Sequence, residues 1–215
     1  MNDAQRTSFD EMNAAVRRLG MMTQSFQLLA IGSSTGGPKA LRTIFERLPS
    51  DFPLPIVVAQ HMSPGFMKNL ASHLDEICAL NVVVAEEGML VRPGTIYFAP
   101  DEKHMQIDKG LKIRIVDFLE DKIYVPSADV LFSSVAKAVR SHAIGVLLTG
   151  MGSDGADGLL KLRESGSYTI AESEETAVVF GMPRVAIERG AANEVLPLHK
   201  IASRVLELVG ANVHA

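Results

Sequence analysis

Phe26-Gln-Leu-Leu-Ala-Ile-Gly-Ser-Ser-Thr-Gly-Gly37 is the stretch that decides how this chain folds. An apolar run, Phe26 to Ile31, ends in six small residues, Gly32-Ser33-Ser34-Thr35-Gly36-Gly37. Ala40, Leu41, Ile44, Phe45 and Leu48 follow at helical spacing. The pattern is a buried strand, a tight turn and an amphipathic helix. A hydroxyl in such a turn sits at the mouth of a helix N-terminus, where backbone N–H groups lack intrahelical partners and the dipole favours negative charge. That setting suits a serine that attacks a carbonyl and then shares its site with an oxyanion. It also suits a bound phosphate.

The same unit recurs outward from this point. Strand patterns lie near 56–60, 82–85, 96–99, 144–149, 168–171 and 194–196, and residues 105–107 and 112–116 flank Lys109-Gly110 as a hairpin. Helical spacing lies near 39–48, 67–80, 130–141, 155–165 and 183–189. Ile56–Gln60 and Ile144–Thr149 are apolar on both faces, as strands covered on both sides by helices are. The expected fold is α/β and doubly wound: a mostly parallel sheet, helices on both faces, and a small antiparallel hairpin. One domain is expected over 26–215, with residues 1–25 a polar tail or linker remnant. The segment around His199 and His214 reads as tail-like.

Composition narrows the function. The chain has 215 residues, 47% of them apolar, enough for one packed core. A net charge of −4 without a run of Lys or Arg argues against a nucleic-acid partner. The single cysteine, Cys78, excludes an internal disulfide and a multi-cysteine zinc site, and its surroundings read as a helical face holding a buried, inert thiol. No apolar stretch approaches the ~20 residues that span a bilayer. The first 25 residues lack a signal-peptide pattern and carry Asp3, Asp10 and Glu11. A cytoplasmic protein without membrane insertion is expected.

Three polar clusters each follow an apolar strand: the serine turn, Gln60-His61-Met62-Ser63-Pro64-Gly65, and Gly150-Met151-Gly152-Ser153-Asp154-Gly155. In an open parallel sheet all three would meet at the rim of C-terminal strand ends, where ligands bind. They bring a hydroxyl, an imidazole and a carboxylate, the parts of nucleophilic acyl transfer. His61 would take the serine proton, and Asp154 would fix the imidazole tautomer. Each residue has a plainer reading: the serine as a phosphate ligand or cap, His61 as a backbone partner, Asp154 as the cap of the helix after it. Gly32-x-Ser34-x-Gly36 also fits a nucleophile elbow, but the order serine, histidine, acid is not that of α/β-hydrolases. His73 and His142 read as solvated, and His104 as a turn residue or part of the site lining. No His or Cys pair has zinc-ligand spacing, so neither a metal nor a cofactor is expected.

From about Leu28 to Leu198 the chain resembles the catalytic domain of the chemotaxis protein-glutamate methylesterases, the CheB family. The matching stretches are Ile31-Gly-Ser-Ser-Thr-Gly-Gly37, Gln60-His-Met-Ser-Pro-Gly-Phe66, Pro93-Gly94 with Ala99-Pro100 and Lys103-His104-Met105, Pro126-Ser-Ala-Asp-Val-Leu-Phe132, Leu148-Thr-Gly-Met-Gly-Ser-Asp-Gly-Ala156, and Val179-Phe-Gly-Met-Pro-Arg184. The resemblance implies hydrolysis of glutamyl methyl esters on the cytoplasmic helices of chemoreceptors, with deamidation of receptor glutamines as a second reaction. It carries over Ser34, His61 and Asp154 as the triad, with Ser34 rather than Ser33 as nucleophile because it precedes Thr-Gly-Gly. A receiver domain, in cis or trans, is the implied regulator. Residues 1–25 are too short to form one, so the chain is expected to be an excised catalytic domain or a stand-alone esterase.

The remaining assignments come from the residues. The Met151 amide, with that of Thr35, is the candidate oxyanion donor. Thr35 has a second reading as a helix cap, and Arg184 is either a docking residue or half of a structural ion pair. The segment 120–125 departs from the basic loop the family places before Pro-Ser-x-Asp, so no substrate contact is carried over to it. Two other classes stand against the esterase: a phosphate- or nucleotide-binding module, although the lysine of a phosphate loop is missing, and a non-catalytic receptor-docking domain.

Overall fold

The computed structural model describes residues 25–117 and 124–210. The chain runs through β1 (Leu28–Ser33), α1 (Gly37–Phe45), β2 (Ile56–Gln60), α2 (Met67–Ile77), β3 (Asn81–Val84), β4 (Thr95–Phe98), β5 (His104–Ile107), β6 (Ile113–Val116), α3 (Ala128–Val139), β7 (Ala143–Leu147), α4 (Ala156–Glu164), β8 (Tyr168–Glu172), α5 (Met182–Glu188), β9 (Glu194–Leu196) and α6 (Leu198–Leu208), with a 3-10 turn at Arg140–His142. Seven strands pair in parallel in the order β3-β4-β2-β1-β7-β8-β9, and β5 and β6 form a separate antiparallel hairpin.

Alternation along the strands builds two cores. In β1, Leu29 and Ile31 face one side, with α1, α2 and α6; Leu28 and Ala30 face the other, with α3, α4, α5 and the hairpin. All six residues of β1 and all five of β2 and β7 are buried, as strands between two helix layers must be. The α1 stripe of Ala40, Leu41, Ile44 and Phe45 is buried. Phe45 meets Phe98 of β4 edge to face, with centroids 6.5 Å apart. Such a pair adds about 0.5–1.5 kcal/mol beyond its buried area. The expected doubly wound sheet and hairpin are both present.

One expectation fails. The segment after β9 is not a tail but α6, eleven residues long, which buries Ile201, Ala202, Val205, Leu206 and Leu208 against the α1 side of the sheet. Those positions repeat at three and four residues, so the helical period outweighs nearness to the C-terminus. The expected tail over residues 1–25 lies, up to residue 24, outside the described residues, as do His214 and the 120–123 part of the divergent loop.

Candidate active site

The chain leaves β1 toward β2 on one side of the sheet and returns later to place β7 on its other side. Strand order therefore reverses at β1, which opens a crevice beyond the C-terminal ends of β2, β1 and β7. Ser34, His61 and Asp154 follow these three adjacent strands. Ser33 pairs with Gln60 in the sheet register, and the His61 amide donates to the Ser33 carbonyl at 2.9 Å. Ser34 and His61 thus leave the sheet one residue past the same rung.

The two serines are told apart by burial. Ser33 is fully buried (0% exposed), and its Oγ donates to Gln60 Oε1 at 2.6 Å. Ser34 is half-buried at the crevice. Gln60, itself buried, uses its Nε2 to donate to the carbonyls of Ser34 (2.9 Å) and His61 (2.6 Å). One amide side chain thereby clamps the serine turn to the histidine turn. This role escaped the sequence reading; the only signal was a glutamine directly before His61 at a buried strand end.

His61 Nε2 lies 2.7 Å from Asp154 Oδ2. Asp154, 6% exposed, also accepts from Ser127 Oγ (2.7 Å), the Ala128 amide (2.6 Å) and the Asp129 amide (3.2 Å). Burial pushes its carboxyl up, but the hydrogen bonds from His61, Ser127 and Ala128 outweigh this and hold it below the usual carboxylate range. An ionised carboxylate only accepts, so the neutral imidazole carries its proton on Nε2 and its lone pair on Nδ1. Nδ1 is buried and has no hydrogen-bond partner among the described residues, Ser34 Oγ included. Such hydrogen bonds are often unmade before substrate binds. In the familiar serine-protease arrangement Nδ1 faces the acid; here Nε2 does.

Asp154 does cap a helix, but not the one expected. The helix after it, α4, has Gly155 at its N-cap, with φ 88° and no side-chain cap. The carboxylate instead sits at the N-terminus of α3, where two first-turn amides and the N-cap Ser127 donate to it. His104, buried at the start of β5, accepts from the Ser127 amide at 3.1 Å, so it supports Asp154 from behind rather than merely making a turn. Pro126-Ser-Ala-Asp was visible as a motif, but this function of it was not.

The Gly150–Asp154 loop is pinned against the serine turn. The Ser34 amide donates to the Thr149 carbonyl at 3.0 Å, and Thr149 Oγ1 donates to the Thr35 carbonyl at 2.9 Å. The Thr149 amide in turn donates to buried Glu172 at 2.8 Å, whose carboxyl burial pushes up. A Cβ on Gly150 would lie 2.7 Å from Ser34 Cβ and overlap the Met182 sulfur, so only glycine permits this approach. Met151 is 67% exposed at the crevice. Thr35 is exposed and does not cap α1, which starts at left-handed Gly36 without a side-chain cap.

The other candidates make contacts of their own. Arg184 pairs with Glu188 one turn along α5 at 3.0 Å, both exposed. The backbone carbonyl of His199, on α6, accepts from Arg47. Cys78 is the C-cap of α2, and burial, then Glu46 and Asp75, push its thiol up to about 11, as suits an unreactive side chain. Among the described residues no three His, Cys, Asp or Glu side chains group as a metal site would require.

Comparison with known proteins agrees with this architecture. The family model for CheB methylesterase matches residues 29–205. A Treponema denticola protein-glutamate methylesterase/protein-glutamine glutaminase is 47% identical over 184 residues, 84% of this chain and 50% of that protein. The Salmonella typhi protein of the same name is 43% identical over 197 residues, 90% of this chain and 56% of that one. The chain thus spans about half the length of the curated relatives it matches. The crystal structure of the Thermotoga maritima CheB methylesterase catalytic domain superposes with a TM-score of 0.81 at 45% identity, covering 86% of this chain and all of that one. A match that reaches from the first strand into the last helix, at this level of identity, leaves one conclusion: the chain belongs to the CheB methylesterase family.

Proposed function

We propose that the chain is a serine hydrolase that removes methyl esters from glutamate side chains of chemoreceptors, through Ser34, His61 and Asp154. The supporting observation is the 2.7 Å contact between His61 Nε2 and an ionised, buried Asp154, which leaves Nδ1 as the base at the turn that carries Ser34. Ser34 Oγ attacks the ester carbonyl carbon while His61 Nδ1 takes its proton. The tetrahedral intermediate collapses, and the leaving methoxide takes that proton and departs as methanol. Water then attacks the acyl-enzyme by the same base, freeing the glutamate carboxylate and Ser34. With a glutamine substrate only the leaving group changes, to ammonia, so the same site would deamidate. The main-chain amides of Met151 and Thr35 are assigned to the oxyanion.

The partners in this reading are methylated receptor helices in the cytoplasm and a receiver domain in cis or trans. A protein-sized substrate suits the open rim, where Phe66, Met151 and Val178 are exposed. Among the described residues no helix is long and apolar enough to cross a membrane. We take residues 26–215 as the catalytic domain. The relatives' names favour hydrolysis over a nucleotide module or an idle docking domain.

The test is methanol release from radiolabelled methylated receptor membranes. Ser34→Ala and His61→Ala should abolish release and labelling by a fluorophosphonate probe. Ser33→Ala should stay active, because it loses only the bond to Gln60. Activity in Ser34→Ala with none in Ser33→Ala would overturn the nucleophile, and a wild-type protein that releases no methanol would overturn the function.

A further inference from the structure

Tyr124 belongs to no part of the triad, yet its ring lies flat against the base. It lies two residues before Pro126, on the approach to the Ser127 cap. Its ring is stacked on the His61 imidazole with centroids 4.8 Å apart and planes 6° from parallel. Its other end abuts the Gly150–Asp154 loop: a Cβ on Gly152 would lie 2.9 Å from the phenol oxygen, and Gly152 has φ +89°. Glycine there leaves the room that the phenol occupies. Tyr124 is 37% exposed, so it forms an outer wall over an imidazole that is itself largely covered.

Among the described residues the His61 ring is tethered at one nitrogen only. A ring held by the Nε2–Asp154 bond alone can pivot about it and carry Nδ1 away from the serine. A parallel aromatic face removes that freedom, and the glycine wall behind the phenol keeps the face in place. We propose that Tyr124 is a positioning residue for the base, fixing the imidazole plane so that Nδ1 stays presented to Ser34 through both proton transfers. The inference rests on the esterase reading above and adds a residue to it. It requires an aromatic ring at 124 and not the hydroxyl.

The test compares wild type, Tyr124→Phe and Tyr124→Leu, each checked for folding by thermal melting. Misplacement of a reacting group by about 1 Å costs ~10²-fold. Tyr124→Leu should therefore lose about 10- to 100-fold in kcat with KM within about threefold of wild type, and Tyr124→Phe should stay within about threefold in both. The ring protons of His61, assigned by their loss in His61→Gln, should be shifted upfield by the stacked ring in wild type and Tyr124→Phe. That shift should vanish in Tyr124→Leu. A Tyr124→Leu enzyme with wild-type kcat overturns the inference, as does a loss confined to KM, which would mark a substrate contact. A wild-type His61 resonance without the upfield shift overturns it with no variant at all. A wild type without esterase activity removes the esterase reading and this inference together, whereas an active wild type beside an unimpaired Tyr124→Leu removes the inference alone.

Discussion

Replacing Asp154 with asparagine should unfold the protein more easily as well as stop the chemistry. Four donors converge on this carboxylate: His61 Nε2 and the Ala128 amide on Oδ2, Ser127 Oγ and the Asp129 amide on Oδ1. An asparagine keeps one acceptor oxygen and turns the other into a donor. Whichever way it lies, its NH2 meets a main-chain N–H of the first turn of α3, Ala128 in one flip and Asp129 in the other. Charged hydrogen bonds contribute about 1.5–3 kcal/mol each, and a partly buried anion at a helix N-terminus up to ~2 kcal/mol. These contributions overlap, and breaking one side of a buried charged cluster costs about 3–5 kcal/mol in all. For a domain of this size that lowers Tm by roughly 6–20 °C. The native carboxyl sits below its ordinary value of 3.8, so the unfolded state binds this proton more readily. The stabilisation is complete above that value and is lost as pH falls through the native one. The gap between urea melts of wild type and Asp154→Asn should therefore narrow as pH falls from neutral to about 3. Turnover should fall about 10⁴-fold, because the imidazole loses the partner that sets its tautomer. An Asp154→Asn protein within about 1 kcal/mol of wild type, or a gap that does not narrow in acid, would refute the shared anchoring role.

Three further outcomes are expected. Gln60→Leu loses the clamp on both turns and should be destabilised by about 1–3 kcal/mol with a reduced kcat, read by urea melts and methanol release. Nitrogen-15 NMR of the neutral protein should find the His61 proton on Nε2, and a proton on Nδ1 would reverse the assignment of the base. Cys78, pushed up to about 11, should react with iodoacetamide near pH 8 far more slowly in the folded protein than in urea, by about tenfold or more.

Local signals carried much of this structure. The serine turn, the two-sided apolar strands and the hairpin were legible because each is written in contiguous residues. The placement of Ser34, His61 and Asp154 after neighbouring strands followed from the rule for parallel sheets. Contacts between distant segments were not legible. Besides its place in the triad, the sequence offers Asp154 only the helix beside it to cap, whereas the carboxylate holds the start of a helix that begins 26 residues earlier in the chain. The resemblance picks Ser34 over Ser33, and the register supplies the physical difference: it buries Ser33 against Gln60 and leaves Ser34 at the crevice. Gln60, Thr149 and Tyr124 act through partners far along the chain, so no periodicity announces them. Helix α6 is different: its stripe from Leu198 to Leu208 is present in contiguous residues, although the segment around His199 reads as tail-like.

Thermal motion acts unequally on the three groups because of how the chain brings them together. The alcohol and the imidazole each follow one residue past a shared rung of the sheet, and the amide side chain of Gln60 rivets their exits, so a displacement of one is passed to the other. The carboxylate hangs from a glycine-flanked span on the far side of β1, moored to a helix tip rather than to the pleat. Displacing that mooring would part the carboxylate from the imidazole while leaving the other two groups joined.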